Sequence, residues 1–352
     1  MKNTAVFLAL MCMAIITNAS LPKSDNDASA SKAKHQTYKV LKKIKIGGEG
    51  GWDYTALDTV NRRLYISHGT KVDILDVDKE QVVGEIPNTN GVHGICFAYS
   101  LNKGFTSNGR DSSVTMFDLT TLKIIKKIKI NGANPDCIIY DPYTNRVFTF
   151  NGRSHNASAI NAETGMQEGT VNLDGKPEFS ASDNQGKVFV NIEDKNEVQV
   201  IDPKMLTVTS TWKLESGDEP SGLAYNATHK RLFVACGNKT MIVLNAENGT
   251  QVKKIAIGDG VDAAGYNSHT GYVFTSNGEG NLTVVHETSA DDFSDPMTVI
   301  TIKGARTLAV DEKKDLVYLP CAEYGAPTST EPGKKPRPSV IPGSFSIMVV
   351  GH

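Results

Sequence analysis

Seven residues recur along this 352-residue chain at the third place of a repeated stretch. They are Asp53, His93, Asp136, Glu178, Ser221, Asp262 and Arg306, in GWDYTALD, GVHGICFAY, NPDCIIYDP, KPEFSASD, EPSGLAYN, GVDAAGYN and GARTLAVD, at spacings of 40, 43, 42, 43, 41 and 44 residues. If the fold superimposes these stretches, one rung carries four carboxylates, one imidazole and one guanidinium. Carboxylates held close repel unless a cation, a raised pKa or a guanidinium compensates. Asp53, His93, Asp136, Glu178 and Asp262 together suit one divalent metal: Ca²⁺, Mg²⁺ or Mn²⁺ by their oxygens, Zn²⁺ or Fe²⁺ by the mixture with imidazole. His93 and Glu178 are the candidate general bases.

The elements that must position this rung come from the rest of the repeat. Past residue 38 the chain runs in short alternating apolar segments broken by Gly, Asn and Asp, a β pattern without helical period. Each stretch is followed by a relative of FTSNG: YISHG from Tyr65, FTSNG from Phe105, FTFNG from Phe148, FVNIE from Phe189, FVACG from Phe233, FTSNG from Phe274 and YLPCA from Tyr318. A third and a fourth apolar run complete the unit. Seven units of four short strands predict an all-β fold, a seven-bladed β-propeller of antiparallel blades. YKVLKKIKIGG at 38–48 reads as a fourth strand with nothing before it, and FSIMVVG at 345–351 as a third strand with nothing after it. The N-terminal strand therefore closes the last blade.

In such a blade the start of the first strand and the end of the second share a face. A second ring is expected beside the first, from His68, Asn108, Asn151, Asn191, Cys236 and Asn277, with Arg110 and Arg153 on the turns beyond and Trp52 at the rim. Trp52, His68, Asn108, Arg110, Asn151, Arg153, Asn277 and Arg306 are the candidate ligand-binding residues. Residues 325–343, GAPTSTEPGKKPRPSVIPG, form a long proline-rich loop with no expected secondary structure, reading as a lid, a binding loop or a simple excursion of the closing blade.

The repeat resembles that of the YVTN-repeat, or YncE-like, propellers of the bacterial envelope. FTSN…VTMFD and FTFN…ASAIN stand for their YVTN phrase and the strand after it, and the likeness covers roughly residues 38–352. It implies a propeller fold and an envelope compartment, and no particular chemistry, because propellers host unrelated functions.

The remaining features bound the function. Residues 1–19 read as a cleavable signal peptide and 20–37 as a disordered tether, which predicts a periplasmic or secreted protein. No later segment is apolar enough to insert in a membrane. A net charge of -2 argues against a nucleic-acid partner. Cys96, Cys137, Cys236 and Cys321 are expected as buried free thiols. A small molecule or a metal ion is the expected partner of a monomer. Three readings stay open: a propeller binding a ligand or metal at its axial mouth, a metal-dependent hydrolase (lactonase-like) or lyase at the same place, and a protein-interaction scaffold, which the polar blade tips disfavour.

Overall fold

The computed structural model describes Met1, residues 37–328 and residues 337–352. Apart from Met1, the expected signal peptide lies outside the described residues, as does all but the last residue of the expected tether. Thr37–His352 is one unit built of seven antiparallel blades. The first blade runs Trp52–Asp58, Arg63–His68, Lys71–Asp76 and Gln81–Ile86. The next five begin at Val92–Ala98, Pro135–Asp141, Pro177–Ser182, Pro220–Asn226 and Val261–Asn267. The seventh is Ala309–Asp311, Leu316–Cys321 and Ser346–Gly351, completed by Lys39–Lys45 from the other end of the chain. That pairing, Lys39 against Gly351 through Lys45 against Ser346, closes the ring as the unpaired end strands require. The described residues contain two three-residue 3₁₀ turns and no α-helix.

The sequence dictates this layering directly. The aromatic opening each FTSNG-like phrase (Tyr65, Phe105, Phe148, Phe189, Phe233, Phe274, Tyr318) is at most 1% exposed and packs against the neighbouring blade, as Tyr65 does with Phe97 at 5.0 Å and Phe117 at 5.6 Å. The fourth strands, such as KVLKKIK and IIKKIK, keep nearly every residue at the surface and bury one isoleucine each, which explains their lysines. A second device ties blade to blade. The residue that opens a second strand reaches a turn carbonyl of the next blade: Arg63 to Leu119 at 2.9 Å, Arg146 to Pro203 at 2.7 Å, Arg231 to Ala290 at 2.8 Å. At the seam the chain ends replace this latch, with the Tyr38 hydroxyl donating to Asp315 at 2.7 Å and its ring edge-on to Tyr272 at 5.2 Å.

One expectation is corrected. The long loop of the closing blade carries secondary structure: Tyr324–Thr328 and Arg337–Val340 pair as an antiparallel hairpin, with residues 329–336 outside the described set. Prolines in a two-stranded ribbon lose no ladder partner when their nitrogens face outward, so a Pro-rich stretch still forms an isolated hairpin. Cys96, Cys137, Cys236 and Cys321 are buried and unbridged. No helix among the described residues is long and apolar enough to cross a membrane.

Candidate functional site

The first strand of blades one to six carries the same defect. Register shifts fall between Trp52 and Thr55, Val92 and Ile95, Pro135 and Ile138, Pro177 and Ser180, Pro220 and Gly222, and Val261 and Ala263. Each bulge contains the recurring polar residue. A bulge takes its residue out of the ladder and re-aims the side chain, so one backbone irregularity repeated around the axis turns a row of side chains toward a common centre. Their backbones are pinned across blade boundaries: Thr307 Oγ1 donates to the Asp53 carbonyl at 2.6 Å, and Asn191 Nδ2 to the Ser221 carbonyl at 2.9 Å.

Two arcs form. On blades one to three, His93 Nδ1 lies 2.6 Å from Asp53 Oδ2 and 3.7 Å from Asp136 Oδ1. One ligand atom from each of Asp53, His93 and Asp136 can be chosen so that all lie within 4.8 Å of one another, a spacing a single cation can draw together. On blades five to seven, Arg306 Nη1 pairs with Asp262 Oδ2 at 2.8 Å, at an angle too poor for a hydrogen bond, and Ser221 Oγ donates to Asp262 Oδ1 at 3.0 Å. Arg306 Nη2 also approaches Asp53 Oδ1, at 3.6 Å. Glu178, on blade four, joins neither arc and holds Lys176 Nζ at 2.6 Å.

Burial sets the protonation of this ring. It pushes the Asp136 carboxyl up to about 6, with Asp53 and Asp262 adding repulsion against the attraction of His93. It pushes Glu178 up to about 8, reinforced by Asp136; the Lys176 ammonium favours the ionised form but does not outweigh burial. Asp262 is raised by burial in spite of Arg306. Burial works against a charged His93, yet the hydrogen bond to Asp53 and the neighbouring carboxylates prevail and raise it. Near neutral pH Glu178 therefore keeps its proton, and a cation bound through His93 must displace the imidazole proton that the carboxylates favour.

The second expected ring is not at this mouth. Asn108, Asn151 and Asn277 are fully buried and clamp their own blades: Asn151 Nδ2 donates to Asn156 Oδ1 at 2.8 Å and Ser158 Oγ at 3.0 Å, and the other two repeat the pattern. The TxN phrase is thus a turn clamp, because its hydroxyls and amide satisfy one another in the blade interior. His68 takes the same place in blade one, 2% exposed, with Nδ1 2.7 Å from Asp73 Oδ2. Asn191 serves the backbone latch, and Cys236 is buried. Arg110 and Arg153 stay exposed and form no ion pair among the described residues. Trp52 is at the rim, stacked on Phe345 at 5.0 Å.

Sequence reasoning missed three contributors. Lys176 lies two residues before Glu178 and holds its carboxyl at 2.6 Å. Tyr54 and Phe179, from blades one and four, stack at 4.5 Å and bridge the channel beneath the ring. Their signal was legible one place after the rung: other blades have Gly94, Cys137, Gly222, Ala263 and Thr307 there. At Gly222 an added Cβ would sit 2.5 Å from the Ala264 nitrogen, so small residues are required except where a large one turns inward.

No family model and no curated protein matches the chain. Among solved structures it is similar to a chain of Kuenenia stuttgartiensis hydrazine synthase, with a TM-score of 0.68 and 13% identity over 78% of this chain and 94% of that one. Identity this low speaks for the fold alone. The molecule is a seven-bladed β-propeller in which polar side chains of the first strands meet near the stacked rings of Tyr54 and Phe179.

Proposed function

We propose that this is an exported propeller of the YVTN-repeat type, periplasmic or secreted, that holds a divalent cation at its axial mouth through Asp53, His93 and Asp136. The observation that carries the reading is the convergence of these three side chains from three successive blades, with ligand atoms within 4.8 Å of one another. Two carboxylates and one imidazole suit Mn²⁺, Fe²⁺ or Zn²⁺; three donors alone fall short of the six to eight oxygens usual for Ca²⁺. Glu178 and Asp262 stand outside the ligand set, held by Lys176 and by Arg306.

Elemental analysis of protein purified without chelator tests this. A stoichiometric transition metal in the wild type, lost from a folded Asp53→Asn, Asp136→Asn double variant, is the expected result. Absence of metal from wild-type protein that has also been offered Mn²⁺ and Zn²⁺ overturns it.

A second reading, hydrolysis of an ester or lactone or a lyase reaction at the same site, is favoured by Glu178. Its carboxyl, pushed up to about 8, is a proton donor at neutral pH beside the triad. Turnover of any ester, lactone or lyase substrate that disappears in Glu178→Gln with metal content unchanged supports it.

A further inference from the structure

Beside the three candidate ligands stands a guanidinium, Arg306; the site's other cation, Lys176, is taken by Glu178 and Glu193. Arg306 Nη1 is occupied by Asp262 at 2.8 Å, but Nη2 reaches only Asp53 Oδ1, at 3.6 Å, beyond hydrogen-bond length. The other oxygen of Asp53 is taken by His93 at 2.6 Å. Asp53 thus stands between the cation ligands and a guanidinium whose side chain is 48% exposed, with N–H groups to spare. A cation drawn to Asp53 would compete with Arg306 for the same carboxylate and leave two positive groups side by side at the site.

The surroundings on this side are aromatic. Trp52 flanks the rim, 6.3 Å from Tyr324 between ring centroids, and the Tyr324 ring lies within electrostatic reach of Arg306. Tyr324 is the first residue of the closing blade's extra hairpin, and its hydroxyl would sit 2.7 Å from a Cβ on Gly304, the neighbour but one of Arg306. On the carboxylate-rich side the aromatic rings are Tyr54, hydrogen-bonded to Asp136, and Phe179 stacked on it, whereas Tyr324 stands at the surface. A guanidinium beside a cation recognises a planar anion, and an aromatic wall recognises a carbon skeleton.

We infer that the site binds a small organic carboxylate, with one oxygen on the cation, the other on Arg306, and its carbon skeleton against Trp52 and Tyr324. The inference rests on the cation reading above. The ligand supplies a partner for Arg306 Nη2 once Asp53 turns to the metal, with Nη1 still paired to Asp262, and Arg306 is the residue that sets specificity for it.

Trp52 gives the assay its reporter. The chain has two tryptophans, and Trp212→Phe leaves Trp52 alone. Trp212 lies on an outer strand, so its replacement leaves the site intact. This variant, loaded with Zn²⁺, is titrated with acetate, glycolate and inorganic phosphate while fluorescence is followed, and metal content is measured on the same samples. Saturable change with the carboxylates, and affinity weakened about tenfold or more by Arg306→Gln with metal retained, is the expected outcome. Arg306→Lys, which keeps the charge and loses the fork, serves as the second variant and is expected to weaken binding less. Metal retained with no carboxylate response, with equal affinity in the Arg306 variants, or with phosphate bound alone overturns the inference. Wild-type protein that takes up no metal overturns the underlying reading, and the carboxylate site with it.

Discussion

Two arcs of one ring use the same backbone position for opposite ends. On blades one to three, Asp53, His93 and Asp136 bring three donor atoms together and leave their charge uncancelled by any fixed cation other than a distant Arg306 at 3.6 Å. On blades five to seven, Asp262 sits in a similar bulge, but its charge is countered by Arg306 at 2.8 Å and one of its oxygens accepts from Ser221 at 3.0 Å. The fold supplies the aim, and the identity of the neighbour one blade on decides whether a carboxylate is available or spent. A site in a repeat protein is therefore a property of adjacent repeats, and no single repeat contains it.

The largest effect should separate the arcs outright. Asp136→Asn is expected to abolish stoichiometric metal, whereas Asp262→Asn, from the spent arc, retains it; elemental analysis of both under one protocol decides. Equal loss in both would make the ring a single diffuse site and dissolve the contrast. The next effect belongs to Glu178, which stands between the arcs. Its carboxyl rises from an ordinary 4.5 to about 8 in the fold, so the native state holds a proton that the unfolded chain releases near 4.5. Stability then falls as pH rises from about 4.5 to 8 and is level above, by roughly 2–4 kcal/mol over that window. Urea midpoints in chelator at pH 5 and pH 8 should show this decline in wild type and a flatter profile in Glu178→Gln. The same slope in both proteins would assign it to other groups.

Much of this was legible in the sequence, and the exceptions have physical causes. Seven copies of a four-strand period, with an orphan strand at each end, determined the architecture and its closure. The rung could be read because its third-place residues change type while their surroundings repeat. The asparagines of FTSN and FTFN repeat just as faithfully and were placed at the mouth with them. Yet Asn108, Asn151 and Asn277 are clamped inside their blades, since proximity along the strand does not say which polar side chain is already satisfied. Tyr54 and Phe179 stand out as large residues where the other blades carry Gly94, Cys137, Gly222, Ala263 and Thr307, but their pairing between blades one and four is a distance that no local pattern encodes. The hairpin of the closing blade was hidden by its prolines.

The smallest expected effect tests the spent arc from within. Arg306→Ala removes the partner of Asp262, a carboxylate whose pKa burial already raises. Loss of a fully buried partner would cost several kcal/mol, but the arginine side chain is 48% exposed, and solvent screening brings the expected loss to about 1–2 kcal/mol. The sign with pH follows from Asp262. Without Arg306 its folded pKa rises further above the unfolded 3.8, so the buried group takes a proton in acid and must carry an unpaired charge in base. The variant should therefore lie closer to wild type at pH 5 than at pH 8, measured by urea midpoints in chelator. An equal loss at both values would mean that Arg306 contributes through the packing of its aliphatic stem against the rim. In that case Asp262 is held by Ser221 and the backbone, and the two arcs differ less in electrostatics than their distances imply.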